Sequence, residues 1–191
     1  YIALFKASLP LKLAAQSQYT TLSRYTGKNR SSCLLVQGFA EILLSQMPDN
    51  IAVNAFAVKS RFNAGQMREA KALARNVIDT LTEAVDINYE FKAILTDAVR
   101  ALSHEDISEV LSDYMLTLDI TGPSLPLYFI TAVLNETLGD HQQARTQISL
   151  CFRRMPDNMT VLRQMADWYE AAGLKKELTD ILSAHAQNSG T

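Results

Sequence analysis

The tetrapeptide Met-Pro-Asp-Asn is spelled twice, at 47–50 and again at 155–158, and each copy follows an apolar stretch, FAEILLSQ in the first case and QISLCFRR in the second. Proline lacks an amide N–H, and its ring clashes with the preceding turn, so it ends a helix. Asp and Asn accept hydrogen bonds from the first free amides of a following helix. The four letters therefore read as a joint between two helices rather than as a reactive motif. Seventeen residues after each proline comes a glycine, Gly65 after Pro48 and Gly173 after Pro156. An identical joint at an identical distance from the next break implies a repeated structural unit.

Gly139 lies 34 residues before Gly173, and the three glycines can be aligned. Five residues beyond them stand Ala70, Ala144 and Leu178; nine beyond, Ala74, Ile148 and Leu182. Seven residues before them stand Val58, Ala132 and Ala166; eight before, Ala57, Thr131 and Met165. A helix, a glycine turn and a second helix with a small residue at the crossing make an αα-hairpin, here used several times.

The rest of the chain supports helices. There are only 7 Gly and 5 Pro among 191 residues, and no stretch alternates apolar with polar long enough to suggest a strand. The periodicity predicts helices over 11–26, 32–46, 51–64, 66–81, 84–101, 104–118, 125–138, 141–154, 159–172 and 174–186. TGKNRSS at 26–32 contains a helix-ending Gly27 and an N-cap at Ser31 or Ser32. Ser103 stands three residues before Asp106 as an imperfect capping box, and TGPS at 121–124 ends a helix in a turn. No apolar run reaches the roughly 18–20 residues of a membrane helix. A chain starting at Tyr1 suggests a piece of something longer.

These residues resemble the tetratricopeptide repeat. The likeness is best over 125–158, through Ala132, Gly139, Ala144, Ile148, Cys151 and Pro156, and good in 159–190, through Leu162, Met165, Ala166, Tyr169 and Gly173. It is weaker over 51–82, which keeps Gly65 and Ala70 but has Asn54 and Arg61 where large apolar residues are usual. Residues 83–122 and 11–50 are divergent. The resemblance implies an all-α, right-handed solenoid of about five stacked antiparallel helix pairs, forming a single domain over 1–191. It further implies a non-catalytic scaffold that binds a peptide or protein partner in a concave groove lined by first helices. In that register Ala55, Lys59 and Phe62, then Phe129, Val133 and Glu136, then Arg163, Asp167 and Glu170 point inward. Phe62 and Phe129 are then candidate anchors. The carboxylate clamp of some family members is not carried over, because the Asn residues that accompany its lysine are missing around Lys59.

Enzyme signatures fail in turn. The glycines are scattered singly, there is no G-x-S-x-G, and His104, His141 and His185 stand apart, so neither a catalytic centre, a metal site nor a cofactor is expected. Cys33 and Cys151 each fall in an apolar helical pattern and read as small hydrophobes, which makes a reducing, cytoplasmic setting the default. His104-Glu105-Asp106 and Gly139-Asp140-His141 place acids where helices begin, which favours the helix dipole.

The net charge of −2 hides an asymmetry: residues 1–75 carry ten Lys/Arg against three Asp/Glu, and residues 76–191 carry eight against seventeen. The densest basic patch is Lys59, Arg61, Arg68, Lys71 and Arg75, and the densest acidic one is Glu105, Asp106, Glu109, Asp113 and Asp119. Both are ordinary solvated faces or landing sites for an oppositely charged partner, and together they suit self-association, basic end to acidic end. The alternative function is a nucleic-acid-associated regulator using the basic half, with Lys6, Lys12, Arg24, Lys28, Arg30, Tyr19 and Tyr25. A pI near 5.9 argues against it. The preferred expectation is the interaction module of a larger regulatory or signalling protein.

Overall fold

The computed structural model describes residues 18–24, 27, 29–122 and 124–189. Among them there are ten helices and no strand: α1 (Gln18–Leu22), α2 (Arg30–Gln46), α3 (Ile51–Asn63), α4 (Met67–Leu81), α5 (Tyr89–Val99), α6 (His104–Thr121), α7 (Leu125–Leu138), α8 (His141–Arg154), α9 (Met159–Ala171) and α10 (Lys175–Ser189). The chain is all-α, as the periodicity predicts. It divides into two compact units. The first comprises residues up to Leu81 together with Glu90–Ser103, and the second Thr82–Tyr89 together with His104 onward.

The repeated tetrapeptide is the same joint both times. Met47 and Met155 end α2 and α8 with nearly equal backbone angles (φ −139°, ψ 63° and φ −132°, ψ 61°), their amides donating to Leu43 and Cys151 carbonyls. Asn50 and Asn158 then cap α3 and α9, each side-chain oxygen accepting an N–H from the first turn, Val53 in one case and Thr160 and Val161 in the other. The second copy does more: its Asn158 side-chain amide donates to the Ile87 carbonyl at 2.8 Å, tying the 82–89 segment to α9.

The aligned glycines also form one joint three times. Gly65, Gly139 and Gly173 have φ of 81°, 85° and 73°, the left-handed region that side chains with a Cβ avoid. In each, the glycine amide reaches back to the carbonyl three residues earlier (Phe62, Glu136, Glu170), and the next amide reaches five residues back (Arg61, Asn135, Tyr169). This double closure satisfies carbonyls that a helix end would otherwise leave bare. Most aligned flanking positions are interior: Ala57, Thr131 and Met165 before the glycine and Ala70 and Ala144 after it are fully buried, and Leu178 nearly so, while Ala166 and Leu182 are half-buried. Small side chains there let α3 approach α4, and α7 approach α8.

In the first unit α3 packs on both α2 and α4, with Phe39 and Phe56 edge to face at 6.1 Å. Phe56, Val58, Ile78 and Leu95 are wholly buried there. In the second unit α6, α7, α8, α9 and α10 pack in sequence order around Ile130, Leu134, Ile148 and Met165. Each such large side chain contributes about 1.5–3 kcal/mol. Several polar groups in these interiors are bonded, Thr131 Oγ1 donating to the Leu127 carbonyl at 2.9 Å and the Ser149 and Tyr169 hydroxyls meeting at 3.0 Å, while the buried Gln147 Oε1 has no hydrogen-bond partner among the described residues.

Two local expectations change. The cap of α2 is Asn29, with Ser32 returning the bond to the Asn29 amide, rather than Ser31 or Ser32 themselves. The helix expected over 84–101 spans only Tyr89–Val99, because Ile87 is buried and its carbonyl accepts from Asn158 instead of a helical amide. Of the helix expected over 11–26, only Gln18–Leu22 lies within described helix; residues 11–17, 25 and 26 lie outside the described residues.

Gly139→Ala is expected to cost about 1–2 kcal/mol through its left-handed backbone. Gly38→Ala is expected to gain about 0.5–1 kcal/mol, since Gly38 lies exposed within α2 with open space around its Cβ position. Urea unfolding of both variants beside the parent checks the opposite signs. The two caps should also separate. Asn50→Ala is expected to cost about 1 kcal/mol. Asn158→Ala, which additionally releases the Ile87 carbonyl, is expected to cost about 1 kcal/mol more.

Candidate functional site

Three first-helix faces supply the residues singled out by register, and their surroundings differ. On α9, Arg163, Asp167 and Glu170 are all exposed. Their spacing of four and three residues puts them on one stripe of the helix. Val161, Gln164, Met165 and Tyr169 hold the opposite side in the interior, so α9 presents a mixed-charge stripe on a packed base. Trp168 is half-buried beside that stripe.

The α7 face is different. Phe129 is fully buried, so it is no anchor on an open surface. The reason is composition: α7 is apolar nearly all round and is covered by α6 as well as by α8. Val133 and Glu136 are half-buried, and the carboxylate of Glu136 lies 3.0 Å from His141 Nδ1 across the Gly139 joint.

On α3 the expected inward residues meet charge. Lys59 Nζ lies 2.9 Å from Asp97 Oδ2 on α5. The same carboxylate accepts the hydroxyl of the buried Tyr19 of α1, and Arg100 Nη1 lies 3.4 Å from its other oxygen. The backbone amide of Tyr19 donates to Glu90, also on α5. Burial, followed by the bond to Asp97, pushes the Tyr19 hydroxyl well above the usual tyrosine value, with the Arg100 charge working against this. Phe62, three residues before the helix-reversing Gly65, is half-buried.

The basic patch is not one surface of open charge. Arg61 grips Glu41 on α2 with two bonds, Nε to Oε1 at 2.7 Å and Nη2 to Oε2 at 2.8 Å. That planar two-point match is the guanidinium's preferred carboxylate geometry. Its hydrogen bonds hold the Glu41 carboxyl below its ordinary value; partial burial opposes this, and the Arg61 charge and a Gln37 bond add to it. Arg75 lies 3.6 Å from Asp79 one turn on. Arg68 and Lys71 are exposed on α4. With Lys59 and Arg61 engaged by acids of their own chain, the patch offers a partner less positive charge than its sequence count suggests. Lys6, Lys12, Tyr25 and Lys28, invoked for nucleic acid, lie outside the described residues.

Clefts are shallow in chemistry. One of about 360 Å³ sits at the first joint between Pro48, Asn54 and Thr80, with Asp49 its one titratable side chain. Another of about 230 Å³ lies between Thr146, Arg153, Tyr169 and Ile181. Neither lining pairs an acid with a base. Among the described residues no group of three or more His, Cys, Asp or Glu is placed to hold a metal ion, and no helix is long and apolar enough to cross a membrane. Cys151 is buried, its thiol pushed up to about 12 by that burial, while Cys33 is half-buried; both are free thiols.

Periodicity did not reveal Glu41, Glu90 or Asp97 as partners of the singled-out cations and of Tyr19. Each pairing links different helices, α2 with α3, α1 with α5 and α3 with α5, and α5 lies in the region without a glycine marker. The nearest sequence signal is the seven-residue spacing of Glu90 and Asp97, two turns apart on one face of α5.

Glu41 has a depressed folded value, so its contribution is present above the unfolded glutamate value of about 4.3 and is lost as pH falls through the folded one. Glu41→Gln is therefore expected to lower stability at pH 7 by less than about 1 kcal/mol, since the pair is partly exposed. The difference from the parent should shrink as pH falls below about 4.3 and on through the lower folded value, which urea midpoints across pH 2–7 would check. Comparison with protein-family models, with curated proteins and with solved structures returns no match.

Proposed function

We propose that the chain is a non-catalytic protein-interaction scaffold, built as a right-handed α-solenoid of stacked antiparallel helix pairs in the manner of tetratricopeptide repeats. It would serve as the interaction module of a larger regulatory or signalling protein in the cytoplasm. The observation that carries this is the helix–glycine–helix joint found three times with one hydrogen-bond pattern, at Gly65, Gly139 and Gly173. A unit of two helices buries one side only, and stacking on a neighbour hides the rest. Such a stack leaves one face of its first helices for a partner.

The α9 stripe of Arg163, Asp167 and Glu170 is the binding surface this reading favours, because these side chains are exposed while their helix is anchored from beneath. A partner there is a protein or peptide of mixed charge.

The test is affinity capture from source-cell extract, comparing the parent chain with a variant carrying Arg163→Glu, Asp167→Lys and Glu170→Lys. Partners held by the parent are expected to fall at least about tenfold with the variant, with helix content by circular dichroism unchanged. An unchanged set of captured proteins would remove α9 as the interface.

A further inference from the structure

The first unit holds an internal contact with the features of a receptor and its ligand. On the ligand side stands α1, described from Gln18 to Leu22. It packs against α3, two helices on in sequence. Tyr19 and Leu22, three residues apart and so on one face, are 0% and 1% exposed. Two carboxylates of α5 engage Tyr19: Glu90 accepts its backbone amide and Asp97 its hydroxyl. Asp97 is held in place without α1, by Lys59 at 2.9 Å from α3 and by Arg100 at 3.4 Å. The receiving group is thus charged, oriented and half-buried by residues of its own side of the contact. Preorganisation of that kind is what lowers the cost of docking a short segment.

We propose that the α3–α5 face is a docking site for a helical turn of the pattern Tyr-x-x-aliphatic, and that this chain fills the site with its own Tyr19 and Leu22. α1 is then a displaceable internal ligand, and a partner presenting the same turn competes with it. The site lies in the first unit and does not involve the α9 stripe, so either proposal can fail alone. Recognition reads three things: an aromatic ring in an apolar slot, a hydroxyl hydrogen on Asp97, and an aliphatic residue one turn on. A tyrosine phosphate would set negative charge against Asp97 and remove the hydrogen it accepts, so the site excludes the phosphorylated form.

The test uses the full chain with Tyr19→Ala and Leu22→Ala, which vacates the site, and a fluorescein-labelled peptide with the sequence of residues 11–27 as probe. Fluorescence anisotropy should show the peptide binding the vacated chain at least about tenfold more tightly than the parent, in which the site is filled. Phenylalanine in place of tyrosine in the peptide should weaken binding about tenfold, the scale of one hydrogen bond to a charged group. Equal binding to parent and variant, or none to a folded variant, would overturn the proposal. If circular dichroism shows the variant unfolded, hydrogen exchange on the parent decides. Amides of 18–24 exchanging at least tenfold faster than those of α3 support a displaceable segment. Equal protection makes α1 ordinary core and ends the proposal.

Discussion

The architecture depends on how a helix is stopped. An α-helix ends with carbonyls that have no amide to accept, and leaving them bare inside a packed protein is costly. At Gly65, Gly139 and Gly173 a single left-handed residue turns two following amides back onto those carbonyls. The chain can then reverse within two or three residues, and the next helix begins while still close to the last. Only that closeness makes small side chains useful: Ala57 and Ala70 in the first unit, and Ala132 and Ala144 in the second, are buried because backbones approach there. The glycine sets the geometry, and the alanines follow from it.

The Met-Pro-Asp-Asn joint does the complementary work. It separates one helix from the next by stopping it at methionine and restarting it at asparagine, with backbone angles that agree between the two copies. The copies differ where their surroundings differ. In the first copy the Pro48 carbonyl accepts the side-chain amide of Asn54, just beyond the joint, whereas in the second the Asn158 side-chain amide donates to Ile87, 71 residues away. The same four letters thus serve a local role in one place and a long-range one in the other.

What was legible in the sequence was whatever depends on neighbours along the chain. Glycine and proline spacing placed α3, α4, α7, α8 and α9 to within a residue or two, because caps and turns are decided by adjacent groups. The start of α5 was misplaced since its limit is set from outside, by Asn158 taking the Ile87 carbonyl. Phe129 was misassigned for a related reason. Register says which way a side chain points on a single helix, but not that a third helix lies over that side, as α6 does over α7. Ion pairs were hidden altogether: Arg61 with Glu41 and Lys59 with Asp97 join residues 20 and 38 positions apart, with no periodic signature.

Charge in a sequence is a count, and charge on a surface is what remains after pairing. The first 75 residues look strongly basic, yet two cations of their densest cluster face carboxylates within 3 Å. A bidentate Arg61 is already oriented and its charge answered, so an acidic partner would have to break an existing bond before making a new one. On α9, among the described residues, no such ion pair organises the stripe: Arg163 is followed by two acids, Asp167 and Glu170, all exposed along one helix. A surface of that kind discriminates by pattern rather than by net attraction, since a partner of uniform charge meets repulsion at one end of the stripe or the other. On the proposed reading, that favours over a polyanion a protein that sets an acid against Arg163 and bases against Asp167 and Glu170.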